Sequence, residues 1–447
     1  MCLMCECAVY VCVFTHSDLL TPEKLIGNKS QLEKPAKTLQ KVLITNALKK
    51  LHRALKETME SSDIFLASNQ FGLDVFKILY EKQKSGNSFI SPIVLASSVA
   101  ALYMGASEDT RKRIAKALRL DNNVGEEHVL KLQSYLKALK TQCADHVTLS
   151  SGIKILLDKK WNCLDGFKHK IQQLPFTDMQ SCDFQHDTDT LAQDLHRWLA
   201  QVSNGSISND LKVENTDHDQ SLSVISCAYF KGKWVHGFDA KNTQLLPFVV
   251  APGHSEEVPM MCATGRYPYI KDNELRYSAL ELPYQGGRLG VVIILPDEYF
   301  GLEILLKNLN LEIISELLKN LYMADSALNL IVPKFEIKNS TFQLATSLSR
   351  MGMEEAFSAD KSNFSELANP CRGLRLNAVT QAAAIKVDEE GTVATAAPGS
   401  KGRPAKAGLS NILKVRVDHP FLYVIVDKED QNTFLFIGHI NNPVLNA

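Results

Sequence analysis

The residue types able to do chemistry in this 447-residue chain are few and far apart. Asp418 and His419 adjoin, as an orienting acid and a base would, but no recognisable nucleophile accompanies them. Neighbours in an extended strand would also face opposite ways. Gly-x-Ser-x-Gly, His-Glu-x-x-His and a phosphate-cradling glycine loop are absent from the sequence. Cys2-x-x-Cys5 has metal or redox spacing, yet no second pair or nearby His completes a site. Palmitoylation or plain hydrophobicity accounts for these thiols, with Cys7 and Cys12 beside them. No metal, no cofactor and no enzyme activity are therefore expected. What stands out instead is a substrate. Pro398 to Gly408 is rich in Gly and Pro, has no apolar side chain larger than Ala or Pro, and carries Lys401, Arg403 and Lys406. Flexible, polar stretches of this kind are where proteases cut.

The elements that must position that substrate lie on either side of it. Ala384-Ile385-Lys386-Val387 reads as the end of a buried strand. Gly391 to Ala397 contains only small or β-branched residues, whereas a surface loop draws on Asn, Asp, Gly, Ser and Pro. Such a run is able to enter a crowded, pleated sheet. A segment that serves as loop or as strand is a bistable element; a plain Ala/Gly/Pro linker is the alternative.

Composition bounds the partners. The chain is 45% hydrophobic and 22% charged with a formal net charge of −1, enough for one large core or two domains. A charge so close to zero argues against nucleic acid as the main partner. No apolar run reaches about 18 residues, so no membrane span is indicated. Met1 to Phe14 is apolar and of signal-sequence length, but it lacks a basic start and carries Glu6. It reads as a secretory signal or as an imperfect start. Acceptor motifs at Asn28, Asn204, Asn339 and Asn363 suit a secreted glycoprotein; a cytoplasmic location is the alternative.

Residues 15–35 read as a polar linker. From Leu39 to Glu57, Leu39, Leu43, Ala47, Leu51 and Leu55 share one helical face, and Lys41, Lys49, His52, Arg53 and Lys56 the opposite one. That basic face suits a sulfated polysaccharide, an anionic membrane or a partner, or is simply solvated. Asp63–Gln83 is expected to be helical, followed by a short strand and turn at Asn87–Pro92. A helix apolar all round, Ile93–Met104, then belongs at the centre of a large core. Ser107 opens the next helix as N-cap, with acids in its first turn. Glu126–Lys140 is helical and carries Lys131, Lys137 and Lys140. A strand at Val147–Leu157, a helix at Leu191–Val202 and an apolar run from Ser221 to Trp234 follow, with Cys227 a buried thiol. Strand signals then cluster at Val258–Met261, Tyr277–Leu282, Leu289–Leu295, Leu328–Ile337, Leu374–Glu389 and two C-terminal runs. Few helices separate them, so mixed or antiparallel sheets are expected.

Several of these motifs together resemble the serpin family of serine protease inhibitors. Asp388-Glu389-Glu390-Gly391-Thr392, followed by Ala394, Ala396 and Ala397, is similar to the hinge of the serpin reactive-centre loop. Val393 and Thr395 complete that hinge. Lys231-Gly232-Lys233-Trp234 resembles the breach strand, and Asn87–Leu120 the second and third helices. Asp418-His419-Pro420-Phe421-Leu422 and Phe434-Leu435-Phe436-Ile437-Gly438 resemble the strands after the loop.

The resemblance covers residues 63–443, behind an N-terminal segment of residues 1–62. It implies an α+β single-domain serpin fold: a large central sheet, two smaller sheets, about eight or nine helices and an exposed reactive-centre loop. It also implies a monomeric inhibitor that traps a serine protease, with a trypsin-like one favoured; the Lys131 helix occupies the place where some members bind heparin, or is simply a solvated face. A non-inhibitory carrier, chaperone or binding protein is the alternative.

Three departures bear on this. Pro398 lies within the segment that would become a strand and has no N–H to give. Ser91, Ser226 and Gln381 stand where the family commonly has Ser, Asn and His, at the sheet's opening point. The loop is a few residues long, so the scissile bond is open: Ala405-Lys406 counting forward from Glu389, Lys406-Ala407 one step on, Leu409-Ser410 counting back from His419. If the basic face at Lys41, Lys49, Arg53 and Lys56 binds a sulfated polysaccharide, retention on immobilised heparin should fall steeply with salt. It should also be lost when all four become Ala; unchanged retention would identify the face as merely solvated.

Overall fold

Pro92–Gly105 has no polar face to offer water, and all 14 of its residues are buried. The computed structural model describes residues 64–120, 126–207, 221–390, 412–430 and 432–445. In chain order the elements are α1 (64–82), β1 (Ser88–Ile90), α2 (Pro92–Gly105), α3 (Glu108–Ala117), α4 (Glu126–Gln142), β2 (Val147–Asp158) and α5 (Asp165–Gln172). Then come β3 (Thr177–Cys182), α6 (Thr188–Val202), β4 (Leu222–Gly232), β5 (Gln244–Ala251), β6 (His254–Tyr267), β7 (Tyr269–Asp272), β8 (Tyr277–Pro283) and β9 (Leu289–Pro296). The remainder are α7 (Leu302–Asn308), α8 (Leu311–Tyr322), β10 (Ser326–Pro333), β11 (Phe335–Gln343), α9 (Ala345–Leu348), β12 (Leu376–Val387), β13 (Leu413–Arg416), β14 (Phe421–Asp427) and β15 (Thr433–Ile440). Nine α-helices and three sheets among the described residues make the fold α+β, as expected.

The sheet that carries the hinge strand has five strands in the order β11-β12-β4-β2-β3. It is not the widest, contrary to expectation. The six-stranded sheet β1-β15-β14-β9-β8-β7 is wider by one strand; in the five-stranded sheet β12 and β4 pair directly, with no strand between them. That pairing is parallel, from Leu376 opposite Leu222 to Ile385 opposite Phe230. The four-stranded sheet runs β13-β10-β6-β5.

Period-two alternation sends β12 side chains to two different cores. Val379, Ala383, Ile385 and Val387 enter the main core around α2 and the C-terminal strands. Ala382 and Ala384 face the other way, into a separate cluster with Leu191, Leu195 and Leu199 of α6 and with Leu156, Ile225, Cys227 and Tyr229 of the sheet.

Several sequence expectations shift in detail. Ser107 is the N-cap of α3 and Glu108 and Asp109 fill its first turn, but the Ser107 side chain makes no capping bond. Its hydroxyl accepts from Ser365 at 2.9 Å instead. The single strand expected at Leu328–Ile337 is two, broken at Lys334 just after Pro333. Helices α5, α7, α8 and α9 and strands β3, β5, β7 and β13 lie where no element was expected.

His439 of β15 is fully buried, with Nδ1 2.6 Å from the Ser88 hydroxyl and its ring edge-on to Phe76 and Tyr80. Burial pushes its pKa down from 6.5 to about 4, against the weaker pull of the Gly86 backbone. The folded state thus holds His439 neutral while the unfolded chain takes up a proton. The stability it preserves is complete above pH 6.5 and is lost as pH falls towards 4, by up to about 3 kcal/mol. Urea titrations across that range should show the step, and His439→Gln should flatten it.

Candidate functional site

The end of β12 is held shut by the segment after β4. Three consecutive carbonyls, those of Asp388, Glu389 and Glu390, each accept a hydrogen bond from it. Trp234 donates its Nε1–H to the Asp388 oxygen at 2.9 Å and its amide to the Glu390 oxygen at 3.4 Å. The Phe238 amide donates to the Glu389 oxygen at 2.7 Å. Trp234 is buried and stacks on Tyr284, with ring centroids 4.6 Å apart and an interplanar angle of 11°. A buried indole needs a partner for its one donor, and the strand end supplies it.

Behind this stack lies an apolar cavity of about 10 Å³, lined by Trp234, Val387, Phe335 and Tyr423 among others. With no polar lining it stays dry.

Glu389 adds a side-chain fastening. Its carboxylate lies 2.8 Å from Lys334 Nζ and accepts from the Thr243 hydroxyl at 2.9 Å. Burial alone would raise its pKa, but the bonds from Lys334 and Thr243 prevail and hold it below the ordinary 4.5. Lys334 and Thr243 escaped the sequence reading. The signal for Lys334 was Pro333, which breaks the apolar run just before a solitary cation.

Lower down, Ser91 and Gln381 meet. Gln381 Oε1 accepts from the Ser91 amide at 2.8 Å, and its Nε2 donates to the Ser91 carbonyl at 3.1 Å. A glutamine does both at once, being donor and acceptor. The Ser91 hydroxyl is spent on the Leu435 carbonyl at 2.7 Å. Ser226 stands opposite Gln381 in register, but its hydroxyl donates to the Thr380 carbonyl at 3.3 Å. The three residues are therefore neighbours without forming one side-chain cluster.

Asp418 and His419 are in contact, Oδ1 to Nδ1 at 3.0 Å, where opposite faces were expected. They lie between β13 and β14 rather than within a strand, which frees them from the alternation. His419 Nε2 is taken by the Pro296 carbonyl at 2.7 Å, so neither ring nitrogen is left to serve a nucleophile. On α4, Lys137 and Lys140 are exposed and Lys131 is half-buried. Gly391 to Ala397, the three candidate scissile bonds, Ser410, and the basic residues Lys41, Lys49, Arg53 and Lys56 lie outside the described residues.

A strand ending in a fastened acidic pair, beside a parallel seam in a mixed five-stranded sheet, defines a class that comparison with known proteins identifies. The family model for serpins, serine protease inhibitors, matches residues 66–443. The chain belongs to the serpin family. The leukocyte elastase inhibitor of Equus caballus is 30% identical over 383 residues, covering 84% of this chain and 98% of that protein. The macrophage plasminogen activator inhibitor 2 of Mus musculus is 30% identical over 424 residues, covering 85% and 100%. Uncleaved ovalbumin shares the fold with a TM-score of 0.74 at 24% identity, over 85% of this chain and 100% of its own.

Glu389→Gln keeps an acceptor for Thr243 and removes the ion pair with Lys334. Because Lys334 is partly exposed, the expected loss is modest, roughly 1 kcal/mol, read as a lower urea midpoint at neutral pH. The wild-type advantage should vanish as acid titrates Glu389, since a depressed carboxylate stabilises only above its unfolded pKa. An unchanged midpoint at neutral pH would mean that the pair contributes nothing.

Proposed function

We propose that this protein inhibits a serine endopeptidase as a suicide substrate, through insertion of its reactive loop into the five-stranded sheet. The observation that carries the reading is the parallel pairing of β12 with β4. A chain that turns back after β12 runs antiparallel to it, and therefore antiparallel to β4 as well. Entering between them, it would replace one parallel seam by two antiparallel ones, which are the more stable per residue. Glu389 and Glu390 lie in a turn at the end of β12, and Gly391 would complete the reversal. Thr392, Val393, Ala394, Thr395, Ala396 and Ala397 are small or β-branched enough to lead the way in. Trp234 sits under the turn, and Ser91, Ser226 and Gln381 lie along the seam that must part.

The chemistry belongs to the protease. Its serine attacks a loop carbonyl and the amine leaves, giving an acyl-enzyme. Insertion then competes with deacylation. Gly391 to Lys406 as a strand spans about 50 Å at roughly 3.3 Å per residue. A protease tethered to its end would be carried across the molecule before water could release it.

Lys406-Ala407 suits a trypsin-like pocket, and Ala405-Lys406 suits the small pocket of an elastase. Two of the relatives are named for an elastase and a plasminogen activator, so the names favour neither bond. The loop's own basic residues favour the trypsin-like one. Pro398 supports a second reading, in which the loop is cut without being trapped.

Residues 63–443 would do this work alone, with residues 1–62 an appendage that offers the polysaccharide face. Among the described residues, Cys143, Cys163, Cys182, Cys227, Cys262 and Cys371 form no disulfide with one another. Six unpaired cysteines suit a reducing compartment and favour the cytoplasmic location over the secreted one.

Incubation with trypsin-like proteases should give a complex that survives SDS, and the loop-cleaved protein should melt higher than the intact one. Two fragments, free enzyme and an unchanged melting temperature would refute the inhibitor reading. Pro398→Thr restores an N–H to the inserting strand and should raise the ratio of trapping to cleavage. The mass of the released peptide identifies the cut bond.

A further inference from the structure

Among the described residues, Lys154 of β2 is a buried long cation that turns towards α6 rather than towards water. It shares a sheet face with Gly152 and Leu156, the row that α6 covers. It is 9% exposed, with Nζ 3.2 Å from Asp178 Oδ2 and 3.4 Å from Gln180 Oε1, both on β3. The same ammonium lies 5.6 Å from the centre of the Trp198 ring on α6. Beside it the helix comes down onto Gly152, where an added Cβ would stand 2.9 Å from Trp198 Cζ2 and 3.0 Å from Val202 Cγ2.

These contacts are distributed unequally across the β4–β12 seam. On the β2–β3–β4 side, α6 has Gly152, Lys154, Leu156, Ile225, Cys227 and Tyr229 beneath it; on the β12 side it has the methyl groups of Ala382 and Ala384. A strand entering the seam moves the two sides apart by about 4.8 Å. A helix gripping both sides equally would lie across the gap and block it. A helix fastened to one side leaves only two methyl groups behind.

We propose that Lys154 is a positioning residue for loop insertion: through Trp198 it fastens α6 to the β2–β3–β4 side, so that the sheet opens at the alanine face. The proposal rests on the insertion reading above. A desolvated ammonium over an indole is a strong form of this contact. The charge also keeps its anionic partner at the margin of the sheet, where Asp178 is largely exposed. Lys154→Met, which keeps the aliphatic stem and returns Asp178 to water, is therefore expected to fold.

The test separates this role from plain stability and from the protease reaction. A synthetic peptide with the sequence of residues 391–405 is annealed into intact protein, and the rate is followed by the appearance of the peptide-bound form. Lys154→Met should slow annealing by about tenfold, equivalent to about 1.4 kcal/mol on the barrier, and Lys154→Arg should restore it. Equal or faster annealing in Lys154→Met would overturn the proposal, as would failure of the peptide to anneal to wild type. A lowered melting temperature with an unchanged annealing rate would mark Lys154 as structural only, and overturns it too. If wild-type protein anneals the peptide but forms no SDS-stable complex with a protease, the inhibitor reading fails while the role of Lys154 is still decided by the rates.

Discussion

The structure depends on one pairing that could be better satisfied. β12 and β4 are parallel neighbours, and turn residues Glu389 and Glu390 follow β12 almost at once. In most sheets a strand that is fully paired on both sides has no further use for its neighbours. If the loop enters this sheet as proposed above, a better-paired arrangement exists, and the material for it is carried in the same chain. The rest of the molecule can be understood as what keeps the present pairing closed.

Two kinds of fastening do this, and they differ in what they ask of the sequence. At the top of the seam, the carbonyls of Asp388, Glu389 and Glu390 are bound through backbone groups and one indole. Only Trp234 is specific there, because any residue offers a carbonyl. Lower down, Gln381 grips the Ser91 backbone with both ends of its amide. Ser226, opposite it, bonds within the sheet instead. The middle of the seam is thus tied across to the helix start at Ser91 rather than from strand to strand.

The sequence made the interior legible and the fastenings largely not. α2 was readable because an unbroken apolar helix has nowhere to lie but a core. β12 was readable because its run is apolar and ends at an acidic pair. The helix α8 was missed although Ile314, Leu317, Leu318 and Leu321 are spaced for it and Asn310 caps it, because it sits among strand-like runs. The strand β13 is only four residues long and exists by pairing with β10, more than eighty residues earlier. Glu389 was picked out from its neighbours, but its partners Lys334 and Thr243 come from separate stretches of chain that only the folded sheet brings together. Asp418 and His419 failed in the opposite sense, since an alternation rule was applied to residues that are not in a strand.

The division of β12 between two cores has a consequence for motion. The cluster under α6 is small and walled off from the main core by the sheet itself. Units of that kind open independently of the whole. Backbone amides of α6 should therefore exchange with solvent deuterium well ahead of those in α2, even though both helices cover the same sheet. An observer following only protection against exchange would see a rigid body with one strap, anchored on one side, laid over the β4–β12 seam.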